Sequence, residues 1–174
     1  MSFSLRDASL SDIPAISAIY RESVLNGVAS YEIDPPSEAD MAGRFSSIVA
    51  DSYPYIAAVD ADSALLGYAY ASAFRTRPAY RFLVEDSIYL APEARGRGVG
   101  KALLRELIAR CTALGFRQMV ALHRALGFVE SGTLKGAGYK HGRWLDTALM
   151  QLELGDGMRT EPEVGRYPDT LYKR

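Results

Sequence analysis

The 174-residue sequence predicts a single domain of the α/β or α+β sandwich class. Two observations carry that prediction. Short runs rich in β-branched and aromatic residues alternate with stretches of helical spacing. Several of the strand-like runs also follow one another across tight turns, as antiparallel pairs do. A third observation sets the scale: 48% apolar and 24% charged residues are ordinary for a soluble globular chain of this length, which is long enough for a real core.

The elements follow in order. Residues 3–8 read as a first strand. Ser11 or Asp12 can cap a helix that carries Ile13, Ile16, Tyr20 and Val24 on one face, and Asn26-Gly27 ends it. Pro35-Pro36 breaks the chain, and Ser37, with Asp40 three residues on, starts a second helix as a capping-box variant. Residues 55–59 and 65–74 read as a strand pair turned at Asp60-Ala61-Asp62. Residues 84–90, Val-Glu-Asp-Ser-Ile-Tyr-Leu, form the next strand, and a helix starts near Lys101. Residues 118–121 are a short strand, and 129–134 with 144–154 a closing hairpin. The stretch from Gly155 on carries Pro162 and Pro168 with little periodicity and reads as an irregular tail. No internal repeat is present.

Between the 84–90 strand and its helix lies Arg95-Gly96-Arg97-Gly98-Val99-Gly100. Three glycines let backbone amides converge where side chains would block access. A helix N-terminus adds unpaired N–H groups and a partial positive charge. Together they suit a phosphate or pyrophosphate, with Arg95, Arg97 and Lys101 adding full charge. On spacing alone, a glycine-rich turn with exposed arginines reads equally well.

The formal net charge of −1 gives no electrostatic case for nucleic acid or an anionic membrane. No apolar run approaches the ~20 residues a spanning helix needs, and the first residues lack a signal-peptide pattern. The single cysteine, Cys111, excludes an internal disulfide and reads as a packing residue inside the third helix. A cytoplasmic protein is expected, with no metal.

The pattern Arg95-x-x-Gly98-x-Gly100 after a strand resembles the acetyl-CoA signature of the GCN5-related N-acetyltransferases (GNAT). Other segments resemble the phosphinothricin acetyltransferase branch. They are Val84-Glu85-Asp86-Ser87-Ile88-Tyr89, Leu122-His123-Arg124-Ala125-Leu126-Gly127-Phe128, Gly138-Tyr139-Lys140-His141-Gly142-Arg143-Trp144 and Arg75-Thr76-Arg77-Pro78-Ala79-Tyr80. The resemblance covers roughly residues 3–154 and leaves the tail, 155–174, outside. It implies the GNAT fold, a central mixed, mostly antiparallel twisted sheet flanked by helices. It also implies acetyl-CoA as co-substrate, with its pantetheine arm along Ile88, Tyr89 and Leu90. Its pyrophosphate then rests on amides from Arg95, Gly96, Arg97, Gly98, Val99, Gly100 and Lys101. Branch members are often dimers, which carries a homodimer over as an expectation.

Acetyl transfer to an amine needs a neutral nitrogen, so a base must take a proton. Glu85, in an otherwise apolar strand, is the candidate, and Asp86 should point to the other face. A solvent-facing strand carboxylate is the plain alternative. The branch places a histidine near the thioester, here His123, to protonate the leaving thiolate or help deprotonate the amine. An amide near Tyr89 or Leu90 would hold the oxyanion. Arg75 and Arg77, on one face of an extended segment with Tyr80 following, suit a carboxylate or phosphinate. The resemblance, in which a related polar segment follows the first helix, also implies that Glu32 meets the acceptor's ammonium. Tyr139 borders the substrate pocket, and His141 is a turn element beside it.

The stretch after Ala121 is short. A crossover through a helix needs about a dozen residues, and only Leu122 to Leu126 precede Gly127-Phe128. A segment of roughly ten residues is therefore expected to be absent between Ala121 and Leu122.

The leading expectation is an N-acetyltransferase acting on a small amino-acid-like amine, phosphinothricin or methionine sulfoximine by resemblance, through direct attack in a ternary complex. The alternatives are acetylation of a protein N-terminus or another amine, and a non-catalytic acyl-CoA sensor. A dinucleotide-binding unit fits poorly, because its glycine motif should follow the first strand.

Overall fold

The computed structural model describes residues 2–122 and 126–163. The strand-like runs become β1 (Ser4–Asp7), β2 (Tyr55–Val59), β3 (Leu65–Ala73), β4 (Leu83–Leu90), β5 (Gln118–Ala121), β6 (Val129–Lys140) and β7 (Arg143–Glu153). They form one sheet in the order β1-β2-β3-β4-β5-β7-β6. Every neighbouring pair is antiparallel except β4 and β5. The expected mixed, mostly antiparallel sheet is the one observed.

The helices are α1 (Ile13–Asn26), α2 (Glu38–Ala50) and α3 (Val99–Ala113). Ile13, Ile16, Tyr20 and Val24 of α1 are buried, as their spacing predicts, and Ile19 joins them. Asp12 stands at the N-cap of α1, but its carboxylate does not cap that helix. It accepts two 2.7 Å bonds from the Arg6 guanidinium and one of 2.8 Å from the Ser9 amide. The Arg6 bonds hold the Asp12 carboxyl down at about 2, against the opposing effect of burial. The Ser37–Asp40 capping box forms as the sequence predicts, with the Asp40 amide donating to Ser37 Oγ at 3.1 Å.

The sheet's two faces carry different layers. Phe45 of α2 meets Tyr55 edge-on at 4.9 Å, and Tyr20 of α1 meets Tyr89 at 4.9 Å. Tyr68 stacks between them, 5.8 Å from Tyr55 and 5.3 Å from Tyr89. These rings share one face because Tyr55 pairs with Tyr70, and Tyr68 with Tyr89, in register. On the other side α3 contributes the fully buried Leu103, Leu104 and Leu107. Cys111 is buried there too, its thiol pushed up to about 12 by burial, which fits packing rather than nucleophilic chemistry.

The short β5–β6 junction closes for a reason visible only in the register. Val120 pairs with Gln151, and Gln151 with Val129. β6 therefore starts level with β5 and runs outward beyond it, instead of returning alongside its length. The connection has only to cross β7, a lateral step of about 10 Å, and seven residues reach twice that. The expectation of an absent segment assumed a full-length return; with this register the seven residues present are enough to close the fold. The hairpin is longer than predicted: β6 extends to Lys140, and β7 starts at Arg143. Its outer half pairs with nothing but itself among the described residues.

Beyond β7 the chain is irregular to Glu163 but anchored, since Arg117 donates to Thr160 Oγ1 at 2.6 Å and to the Glu161 carbonyl at 2.9 Å. Residues 164–174 of the expected tail lie outside the described residues. Among the described residues no helix is long and apolar enough to cross a membrane.

The Tyr68 hydroxyl is fully buried with no hydrogen-bond partner among the described residues. Such a group costs about 1–3 kcal/mol. Tyr68→Phe is expected to leave the melting temperature unchanged or raise it by a few degrees. A clear fall in Tm by calorimetry would show that the hydroxyl is paired.

Candidate active site

The glycine-rich junction is built as an anion cradle. Gly96 and Gly98 have φ of +75° and +82°, a region that L-residues rarely occupy. Gly98 is the N-cap of α3, and the first intrahelical bond runs from the Ala102 amide to its carbonyl at 3.0 Å. The amides of the first turn therefore lack acceptors within the helix. Arg95 is held by Glu22 of α1 at 2.7 Å, and Arg97 donates to the Glu93 carbonyl at 3.3 Å. Main chain, rather than these arginines, is what the loop presents most freely.

β4 leads into this loop with one edge open. On the β3 side it is paired from Val84 to Leu90. On the β5 side the pairing covers Leu83, Val84 and Glu85 alone. From Asp86 to Leu90 the two strands part, and that edge has no strand neighbour among the described residues. Main-chain N–H and C=O groups from Ser87 to Leu90 along it can bond an extended ligand as another strand would. Ile88, Tyr89, Leu90 and Arg95 also line a cavity of about 410 Å³, whose other wall is Glu22, Ser23 and residues 26–29.

Glu85 sits where the strands separate. Strand alternation turns it toward the α1–α2 face with Ser87 and Tyr89, while Asp86 is buried on the other face. Glu85 is half-buried, and burial, seconded by the Asp86 charge, raises its carboxyl above the ordinary range. Arg75 acts in the opposite direction, which places its guanidinium within electrostatic reach of Glu85. Arg75, Thr76, Arg77 and Tyr80 together line a further cavity of about 390 Å³. Tyr80 packs edge-on against Phe74, and Arg75 lies over the Phe74 ring. The predicted basic cluster and the predicted base are thus neighbours.

Other predicted residues are placed differently. Glu32 is engaged by Arg44 of α2 at 2.7 Å, so its charge is already matched. Tyr139 is exposed on the hairpin, edge-on to Trp144 at 5.3 Å. Its neighbour Lys140 is buried, with Nζ donating to the Ser30 carbonyl at 2.8 Å. His141, a turn residue as expected, has φ +51° and bonds the Gly27 carbonyl through Nε2 at 3.1 Å. His123 lies outside the described residues.

The comparisons with known proteins agree with this geometry. The model of the acetyltransferase (GNAT) family matches residues 16–131. The chain belongs to that family. The acetyl-CoA-dependent transfer of an acetyl group to an amine comes with membership. A phosphinothricin N-acetyltransferase of Alcaligenes faecalis is 48% identical over 164 residues, covering 87% of this chain and 83% of that protein. An L-methionine sulfoximine/L-methionine sulfone acetyltransferase of Pseudomonas paraeruginosa is 40% identical over 173 residues, covering 93% and 100%. Among solved structures, a GNAT superfamily phosphinothricin acetyltransferase from Sinorhizobium meliloti in complex with AcCoA superposes with a TM-score of 0.95 at 63% identity, covering 100% of both chains.

Within this GNAT site, several residues escaped the sequence reading. Tyr70 is opposite Ser87 in register, and it feels the charges of both Glu85 and Arg44. Arg44 also interacts with the Tyr20 hydroxyl. The paired registers of β3 and β4 bring Tyr70 here, and nothing in the local sequence marks it.

The two inner glycines of the loop should differ in sensitivity. A side chain at Gly100 meets only the flexible tip of Leu90, at 3.1 Å, whereas at Gly98 it meets a left-handed backbone. Gly98→Val is expected to raise the acetyl-CoA KM at least about tenfold, given a strain of order 1–3 kcal/mol. Gly100→Ala and Arg97→Ala should cost less. Steady-state titration of acetyl-CoA checks this, and an unchanged KM in folded Gly98→Val would remove the loop from the cofactor site.

Proposed function

We propose that this chain acetylates the amine of a small amino-acid-like acceptor, phosphinothricin or methionine sulfoximine, by direct attack on acetyl-CoA in a ternary complex. The observation that carries the reading is Glu85. It is half-buried, raised by burial, beside Arg75, and seated where β4 leaves β5. The names of the relatives at 48% and 40% identity supply the acceptor class.

The roles follow from position. The open edge at Ile88, Tyr89 and Leu90 takes the pantetheine arm, and amides of residues 95–101 take the pyrophosphate. Glu85 removes the amine's proton, directly or through water, and an amide near Tyr89 or Leu90 steadies the oxyanion. His123 protonates the leaving thiolate. Arg75 and Arg77, with Tyr80, hold the acceptor's phosphinate or carboxylate. Glu32 draws the ammonium into the pocket, its strength tempered by Arg44. Tyr139 serves the rim of the pocket. A cytoplasmic location accompanies this reading, in keeping with a single, buried thiol.

The test is CoA release from acetyl-CoA with phosphinothricin, methionine sulfoximine, ordinary amino acids, a polyamine and an N-terminal peptide as acceptors. Phosphinothricin and methionine sulfoximine should turn over fastest and the polyamine poorly. Glu85→Gln should lower kcat/KM by about 10²- to 10⁴-fold without lowering Tm. A raised carboxyl stays protonated, and so inactive as a base, to higher pH. The acid limb of kcat/KM should therefore lie above the ordinary glutamate range, activity falling as pH drops through it, and the limb should vanish in Glu85→Gln. Tight acetyl-CoA binding without turnover of any acceptor would favour the sensor alternative.

A homodimer is part of the proposal. Val129, Leu134, Tyr139 and Trp144 are each more than half exposed on the hairpin. Grouped on one two-stranded arm, they are the kind of apolar patch that a second copy covers. Light scattering should give twice the 19.1 kDa chain mass, and Trp144→Glu should return it to the monomer.

A further inference from the structure

The β6–β7 hairpin reaches back to a loop far from it in sequence. Four contacts join the hairpin to residues 27–31. Lys140 Nζ donates to the Ser30 carbonyl at 2.8 Å, and His141 Nε2 to the Gly27 carbonyl at 3.1 Å. The Tyr31 hydroxyl bonds Thr147 Oγ1 at 2.6 Å. Gly138 lies against the Tyr31 ring so closely that a Cβ there would sit 2.7 Å from it. The loop so held is not idle surface. Gly27, Val28 and Ala29 wall the cavity over Ile88 to Leu90. Ser30 Oγ bonds the Tyr20 hydroxyl at 3.0 Å and receives the Glu32 amide at 3.2 Å, and Glu32 holds Arg44.

Lys140 is the unusual member. It is 5% exposed, and lysine is almost never buried without a specific partner. Removing a lysine from water is costly, and a hydrophobic residue would fill the same space without that cost. Its donation to a single, defined carbonyl gives direction that an apolar contact cannot. The carbonyl belongs to Ser30, whose own side chain sets both Tyr20 and the start of the Glu32–Arg44 pair.

We propose that Lys140 is a positioning residue of the acceptor site. Its buried side chain fixes the backbone of residues 27–32, so that Ser30, Tyr20, Glu32 and Arg44 keep one arrangement near Tyr70, which also feels the Glu85 charge. The acceptor pocket is complete only with the hairpin tip docked. The cofactor's grip comes mainly from β4 and the glycine loop, and the 27–29 wall only borders it, so a smaller effect on cofactor binding accompanies the larger one on the acceptor. This inference rests on the acetyltransferase reading above.

The test compares Lys140→Met and Lys140→Arg with the unmodified protein. Three quantities are read: acetyl-CoA Kd by calorimetry, acceptor KM and kcat, and hydrogen exchange of the segment 27–32. Loss of one buried hydrogen bond predicts that Lys140→Met raises the acceptor KM about tenfold or more. The acetyl-CoA Kd should move less than about threefold, a shift under 1 kcal/mol. Exchange of 27–32 should quicken while that of β4 does not, and Lys140→Arg should recover part of the acceptor KM. Should Lys140→Met not fold, Gly138→Ala pushes the Tyr31 ring away and is expected to give the same signature. An unchanged acceptor KM with unchanged loop exchange, or an acetyl-CoA Kd that rises in step with the acceptor KM, overturns the proposal. Failure of the unmodified protein to acetylate any acceptor overturns the enzymatic reading and this one with it. Normal turnover with an unmoved KM in the variant overturns this one alone.

Discussion

The parting of β4 and β5 is the constraint on which the site depends. Their parallel pairing is limited to Leu83, Val84 and Glu85, while β4 continues to Leu90 on its other edge. A strand that is half paired presents directional donors and acceptors in a row, with no loop needed to supply them. β5 ends at Ala121, and β6 begins on the far side of β7 at nearly the same level. Beyond Glu85 the β4 edge therefore stands open in the sheet, on the side where β5 has ended.

Strand alternation then separates two adjacent carboxylates that would otherwise repel each other at close range. Glu85 faces the tyrosine layer, within electrostatic reach of Tyr70 and Arg75, and Asp86 turns under α3. Asp86 nonetheless adds to the upward pressure on Glu85, burial being the larger cause. The aromatic layer contributes by excluding water: burial raises the hydroxyls of Tyr55, Tyr68 and Tyr89 as well. A base in such surroundings keeps its proton affinity closer to that of the amine it must serve than an exposed carboxylate does.

Local chemistry made most of the fold legible in the sequence. The Ser37–Asp40 box, the Asn26-Gly27 stop, the Asp60 turn and the period of α1 each depend on residues within a few positions of one another. The glycine loop was legible for the same reason. Long-range register was not. The starting level of β6 is decided by Gln151 pairing with both Val120 and Val129, and the sequence of the junction alone suggested a missing piece. Asp12 read as a cap because its type and position fit one, and only the fold brings Arg6 to claim it. Likewise Arg44, Tyr70 and Lys140 carry no motif at their own positions. Each becomes part of the site through a partner 12 or more residues away: Glu32, Ser87 and Ser30.

The hairpin shows how this economy shifts cost elsewhere. A two-stranded arm is marginal in water unless something packs against it, and half of β6–β7 extends past its sheet neighbour. The arm gains its anchorage from the 27–31 loop, through Lys140, His141, Thr147 and the face of Gly138. That loop, glycine-ended and free of regular structure, gains a fixed shape from the arm. Neither segment is rigid by its own composition, so each is ordered by the other, and the order is delivered beside the open edge of β4. With Lys140 in the role proposed for it, acceptor recognition depends on the docking of a hairpin far from the loop in sequence.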